Sequence, residues 1–171
     1  MPFTPFHLGP GTLMGVGLKK VFHIPALFLG SVIVDIEPFL VLMFKLDYPL
    51  HGFFHSLAGG LAAGGVLSGI LYLVRKPLTS LMALIKLEQK TSFWFILTGA
   101  SVGVILHILI DSLFHRDILP FWPLKANPFY GLIPSTIVYF ICTLSLIAGV
   151  IVYVISLIIS GGKHKPTHKD I

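Results

Sequence analysis

Apolar residues fall into long runs separated by short polar stretches, the pattern of helices built for lipid. The runs extend from about Phe6 to Leu18, Pro25 to Phe44, Phe53 to Val74, Ser92 to Phe114 and Ile133 to Ile159. A helix rises about 1.5 Å per residue and a bilayer core is about 30 Å thick, so about 20 residues are needed to span it. The last four runs meet that length. The first covers only about two-thirds of the core and is rich in glycine, so it predicts a re-entrant or interfacial helix. Thr4 and Pro5 have the form of its start, with Thr4 as N-cap and Pro5 at the first helical position. A shorter apolar stretch, Leu78 to Leu87, lies among Arg75, Lys76, Lys86, Glu88 and Lys90 and reads as an interfacial amphipathic helix.

Within the runs, smaller signals refine the picture. Pro38 removes a backbone donor and disfavours helix at Glu37, which predicts a kink in the second run. Such a kink would aim both Asp35 and Glu37 inward; in a straight helix residues two apart point about 200° apart. Gly60/Gly64 and Gly65/Gly69 are small-residue pairs that let helices approach closely. The last run carries no ionisable residue except tyrosine and reads as a lipid-facing support. Pro120, Phe121, Trp122 and Pro123 suit a loop at the membrane–water boundary. The chain thus reads as all-α, one polytopic membrane-embedded bundle over residues 1–160, with about four transmembrane helices plus the N-terminal re-entrant helix. Residues 161–171 read as a disordered basic tail. No internal repeat and no second domain is visible.

Composition agrees. The chain is 55% hydrophobic and 11% charged, against about 25% charged in a soluble domain. Mean hydropathy is +0.91. No Lys/Arg cluster interleaves with aromatics as a nucleic-acid surface requires. The single cysteine, Cys142, has no intrachain partner. No cleavable signal is evident, since Lys19 and Lys20 follow the first apolar stretch instead of preceding it. Lys19, Lys20, Arg75, Lys76, Lys86, Lys90, Lys163, Lys165 and Lys169 fall on one side of the predicted spans, and Lys45, Arg116 and Lys125 on the other. By the positive-inside rule the first side, with the C-terminus, is cytoplasmic, in an inner or plasma membrane.

Against this apolar background the ionisable residues stand out. An acid at a helix centre costs about 2.5–3.5 kcal/mol on insertion scales, so intramembrane acids mark use. Asp35 and Glu37 lie in the second run, His51 and His55 stand four apart at the head of the third, and His107 and Asp111 four apart near the end of the fourth. With the orientation above and a first helix entering from outside, His7, Asp35, His51, His55, His107 and Asp111 share one layer near the outer face. Helical residues four apart share a face, so each pair can grip one ion, and six ligands suffice for one ion or two. Zinc suits imidazole plus carboxylate, with manganese or iron as other choices. Glu37 is a candidate base for metal-activated water. Plainer readings exist. The His51/His55 pair could rest half solvated at the boundary, and Asp111 could pair with Arg116 or accept a hydrogen bond from Ser112 or from another helix. Ser56 is either an N-cap, a group bonding a ligand, or a substrate contact. Arg116 is either a loop cation or an anion-binding group. His115 reads as a boundary residue, while His23, His164 and His168 fall outside the layer.

The segments Met1-Pro-Phe-Thr-Pro-Phe-His7, Asp35-Ile-Glu37-Pro38, His51-Gly-Phe-Phe-His55-Ser56 and His107-Ile-Leu-Ile-Asp111-Ser112, followed by Phe121-Trp122-Pro123, resemble the family of inner-membrane, metal-dependent hydrolases, whose bacterial members include LexA-regulated ones. The likeness runs to about Pro123 and leaves out the last span and tail. It implies a multi-span helical protein with a metal site formed from His7, Asp35, His51, His55, His107 and Asp111. One departure is visible. The family pattern often has Arg and then Gly after the first histidine, and Thr before the second. Here Gly52, Phe53 and Phe54 fill the gap, which removes a basic contact for a phosphate ester.

The expected function is a membrane-embedded metal-dependent hydrolase, acting on a lipid or lipid-linked ester or phosphoester at the outer leaflet. A metal-ion or proton transporter is the first alternative. It requires polar groups continuing into the cytoplasmic half, which is apolar here apart from small residues and Ser68. A non-catalytic structural or assembly protein is the second alternative.

Overall fold

A computed structural model describes residues 7–162. Its helices are α1 (Leu8–Gly17), α2 (Ile24–Ile33), α3 (Ile36–Phe44), α4 (Leu57–Leu73), α5 (Arg75–Leu84), α6 (Phe93–Ser112) and α7 (Ser135–Gly162), with a 3-10 turn at Phe53–His55 before α4. Among the described residues there is no strand. Three helical stretches are long and apolar enough to cross a membrane: Ile24–Phe44, Phe93–Ser112 and Ser135–Ile159. A fourth is available if α4 and α5 count as one span, but they meet at 79°. That angle fits α4 as the membrane element and α5 as the interfacial helix expected from its charges. Arg75 sits at the bend, where its guanidinium donates to Tyr72 O at 2.7 Å and covers the Tyr72 ring at 4.1 Å.

α6 is the axis of the bundle. α2 runs alongside it in the same direction. Cβ atoms added at Gly30, Gly99 or Gly103 would meet the backbone of the facing helix or of His23 at its head. α4 runs the other way along α6, with Gly60 and Gly64 against Val104, Ile108 and Ala100. Gly65 and Gly69 face open space, so only the first of the two small-residue pairs is a packing device. α1 lies against α7 and α2, with Gly9 against Cys142 and Gly149 against Leu13. Buried Ala26, Leu67, Leu71, Ile96 and Ala100 form the inner half of the core. α7 leaves an apolar face, from Ile137 to Ile159, largely exposed to its surroundings, as a lipid-facing support should.

Several boundaries differ from expectation. α1 begins after His7, which makes no capping bond with its side chain; the Thr4–Pro5 start lies outside the described residues. The second run breaks at Val34–Asp35 and not at Pro38. Pro38 falls in the first turn of α3, where helical N–H groups have no intrahelical acceptor and proline costs little. The break has the effect sought from a kink, because Asp35 and Glu37 both reach the interior. α7 continues to Gly162, beyond the expected start of the tail at Gly161; residues 163–171 lie outside the described residues.

The two ends of the bundle differ. At one, Gln89 ties the 86–92 loop to the 18–24 loop by donating to Lys19 O and Phe22 O and accepting from Ile24 N. Lys19, Lys20, Lys86 and Lys90 gather there around one cavity, next to Arg75 and Lys76 of α5. At the other end the 45–56 and 113–134 loops join, with Leu57 N bonded to Pro120 O at 2.9 Å and the Phe53 ring edge-on to Trp122.

Candidate metal centre

Four irregular or terminal points of the backbone converge below that second end. They are the start of α1 at His7, the α2–α3 break at Asp35 and Glu37, the 3-10 turn ending at His55, and the last turns of α6 with His107 and Asp111. One ligand atom from each of Asp35, His55, His107 and Asp111 lies within 4.8 Å of all the others. His107 Nε2 is 3.2 Å from Asp111 Oδ2 and 3.4 Å from Asp35 Oδ1; His55 Nε2 is 3.8 Å from Asp35 Oδ1 and 4.0 Å from Asp111 Oδ2. Ligand atoms held at about 2.0–2.1 Å around a tetrahedral ion stand about 3.4 Å apart. The quartet fits that spacing with small adjustments. His55, His107 and Asp111 are buried, while the Asp35 side chain remains 23% exposed, so the opening lies beside Asp35.

The outward sides of the imidazoles are committed. His107 Nδ1 lies 2.7 Å from Ser31 O, a group that only accepts, so Nδ1 carries the proton. His55 Nδ1 lies 3.0 Å from Glu37 Oε2. Both Nε2 atoms are buried with no hydrogen-bond partner, and both face carboxylates. Buried acceptors gathered in this way require a proton or a cation between them. The arrangement matches metal-binding histidines, whose second nitrogen donates to a carboxylate or carbonyl that fixes the ring.

Glu37, expected to act as a base, holds His55 in place. Its Oε2 also accepts from Gly52 N at 2.9 Å, and its Oε1 accepts from Phe54 N at 3.1 Å. Those three bonds occupy the carboxylate and orient the 3-10 turn. His7 joins the site from α1 but not as one of the quartet. Its Nε2 is 3.0 Å from Asp111 Oδ1, and its ring stacks on His107 with centroids 4.2 Å apart. Asp111 is thereby shared among histidines and does not pair with Arg116; Ser112 donates to Ile108 O instead.

A family profile described as YdjM inner membrane protein matches residues 1–165. The chain belongs to that family. The match extends past Pro123, where the motif likeness ended, through the last span. Neither the curated proteins nor the solved structures searched contain a match. The YdjM family description and the three to four apolar helices agree on a multi-pass membrane protein.

In this YdjM family member three other expected site residues find different places. Ser56 is buried as the N-cap of α4, accepting from Gly59 N at 3.0 Å and donating to Phe53 O at 2.7 Å. Arg116 is exposed and does not line the cavity beside His51. His51 leaves the quartet because residues 51 and 55 do not share a helix. Gly52 is non-helical (φ −92°, ψ −134°) and the 3-10 turn intervenes, so the one-face argument fails. His51 Nδ1 instead bonds Asp117 Oδ2 at 2.8 Å, and its ring lies 4.2 Å from that of His115. Burial and the neighbouring His51 charge lower the His115 pKa. Burial works to raise Asp117, but the bond and charge of His51 hold it below the usual carboxylate range. The sequence reading missed Asp117, although His115-x-Asp117 was a visible signal in the loop.

Proposed function

We propose that Asp35, His55, His107 and Asp111 hold a divalent ion, and that the chain is a membrane-embedded metal-dependent hydrolase opening to the outer leaflet. One observation carries the reading: two buried Nε2 atoms, on rings fixed by Ser31 O and Glu37, face the Asp35 and Asp111 carboxylates and have no hydrogen-bond partner. Zinc suits this donor set, and manganese or iron also accept mixed imidazole and carboxylate ligands. A divalent ion so placed supplies water activated at neutral pH. The chain's own part is to hold the ligands and admit the substrate. Glu37 and Ser31 fix the rings, and His7 fixes Asp111. Asp35, the more exposed of the two carboxylates, stands at the entrance. A cavity of about 540 Å³ between the two outer loops, lined by Tyr48, Gly52, Phe53, Leu119 and Trp122, offers an apolar wall to a lipid or lipid-linked ester.

Transport is disfavoured by the layer beneath the site. Ala26, Leu67, Leu71, Ile96 and Ala100 are buried and apolar, and an ion path requires polar groups through that depth. The test is elemental analysis of purified wild-type protein beside His107→Ala and Asp111→Asn, with hydrolysis of long-chain esters and phosphoesters followed in detergent. We expect bound metal in the wild type, loss of it in both variants, and turnover that chelation removes and metal restores. Bound metal without turnover on any ester would leave the site and refute the hydrolase; unchanged metal in both variants would refute the site.

A further inference from the structure

We infer that His51, His115 and Asp117 form a second divalent-cation site, at the mouth of the cavity and distinct from the buried quartet. One ligand atom from each lies within 4.8 Å of the other two. His51 comes from the 45–56 loop, and His115 and Asp117 from the loop after α6, so the ion would join the two outer loops. Three features separate this cluster from a chance meeting of polar loop residues.

The first is an unsatisfied atom. His115 Nε2 is buried and has no hydrogen-bond partner, a costly arrangement for an imidazole nitrogen unless a ligand completes it. The second is that the loop is held in place independently of the three side chains. Asn127 Nδ2 donates to both Ser112 O and His115 O at 2.9 Å, and Leu57 N is bonded to Pro120 O. The loop that carries His115 and Asp117 thus has backbone anchors besides the direct His51–Asp117 bond. The third is position. His51 and Asp117 line the same cavity as Tyr48, Phe53 and Trp122, while the His51 ring lies edge-on to His55 of the quartet at 4.8 Å between centroids.

Two imidazoles and one carboxylate with space beside them are the donor set of an open site, three protein ligands with positions left for water or an anion. Set between the quartet and an apolar cavity, the ion would give the mouth a fixed positive centre, which neither Arg116, absent from the cavity lining, nor Gly52 supplies. The ligand class is a zinc-like ion that exchanges with solvent, in contrast to the enclosed quartet. Asp117, at 54% side-chain exposure, is the solvent-facing ligand.

The experiment titrates Zn2+ into full-length protein stripped with chelator, and counts bound ions by elemental analysis after desalting at increasing stringency. Wild type should bind two equivalents, one released much more readily. Asp117→Asn and His115→Gln should each remove the readily released equivalent, with at least about tenfold weaker binding, and keep the other. Asp111→Asn should do the reverse. Asp117 is exposed, so its variant tests the site even if His115→Gln disturbs the loop. Cu2+ bound to Asp111→Asn should show two imidazole nitrogens in its paramagnetic resonance spectrum, and one after His115→Gln is added. Wild-type stoichiometry and affinity in Asp117→Asn would overturn the mouth site and leave the quartet standing. A single equivalent lost in Asp117→Asn but kept in Asp111→Asn would establish the mouth site and refute the quartet.

Discussion

Glu37 shows how one side chain can organise its surroundings through three hydrogen bonds. It receives Gly52 N, Phe54 N and His55 Nδ1. Glutamine is the same size but offers one acceptor oxygen and turns an amide donor towards donors. Glu37→Gln should weaken metal binding about 10–100-fold, as loss of an outer-shell partner does, and the stripped protein should melt at a lower temperature. Metal titration of the variant checks this, and wild-type affinity would return Glu37 to the role of a free base. His23 gives a second prediction at this scale. Its Nδ1 accepts from Ala26 N at 3.3 Å as the N-cap of α2, and burial lowers its pKa to about 4. A histidine whose folded pKa is depressed favours folding fully above its unfolded pKa of about 6.5 and loses that contribution as pH falls towards 4. The loss at the acid end is on the order of 3 kcal/mol. His23→Asn keeps a capping acceptor and cannot titrate. Melting curves between pH 7 and pH 4 should therefore fall less steeply for the variant, and parallel curves would refute the assignment. Among residues, sequence alone led to His107 and Asp111 because they stand on a regular helix, where spacing dictates direction. It set His51 on one face with His55 because a helical period was extended across a glycine and a 3-10 turn, where no period holds.

At the scale of elements, the glycines decide which helices meet. Gly103 on α6 faces the backbone of Leu27 and Ser31 on α2, and Gly65 on α4 faces nothing within 4 Å. Gly103→Ala should lower stability by about 1–3 kcal/mol, since backbone cannot move aside as a side chain can. Gly65→Ala should change it by no more than about 0.5 kcal/mol. Thermal unfolding in detergent compares the two, and equal melting temperatures would contradict the packing. The hydropathy pattern was sufficient to place every long helix, because burial in lipid demands unbroken apolar length. It could not separate a packing glycine from an idle one: both satisfy the same spacing, and only the neighbour across the gap distinguishes them. The break at Val34–Asp35 was similarly hidden. Proline announced an irregularity, but proline is tolerated at a helix start, so the discontinuity lies before it.

Across the whole molecule, charge and chemistry lie at opposite ends. Lys19, Lys20, Arg75, Lys76, Lys86 and Lys90 gather around α5 and the 86–92 loop, and the quartet lies beneath the 45–56 and 113–134 loops. If the basic end is cytoplasmic, as the positive-inside rule expects, a cysteine at Lys125 should react with a membrane-impermeant maleimide added to spheroplasts, and one at Lys86 only after lysis. Both positions are exposed, and the native Cys142 is buried. Labelling in the reverse order would invert the topology and turn the site to the other leaflet. The segments that meet in the quartet are far apart along the chain. Asp35 and His55 enter the bilayer during synthesis well before α6 delivers His107 and Asp111. Until then the neighbours of His55 in the site are Glu37 and Asp35, and α6, once in place, both closes the glycine-lined contacts and brings His107 and Asp111 to them. Maturation would thus hinge on a single late insertion: a nascent chain stalled ahead of α6 should stay near its insertion machinery or be degraded, and ion capture would mark the moment at which the newborn protein passes inspection.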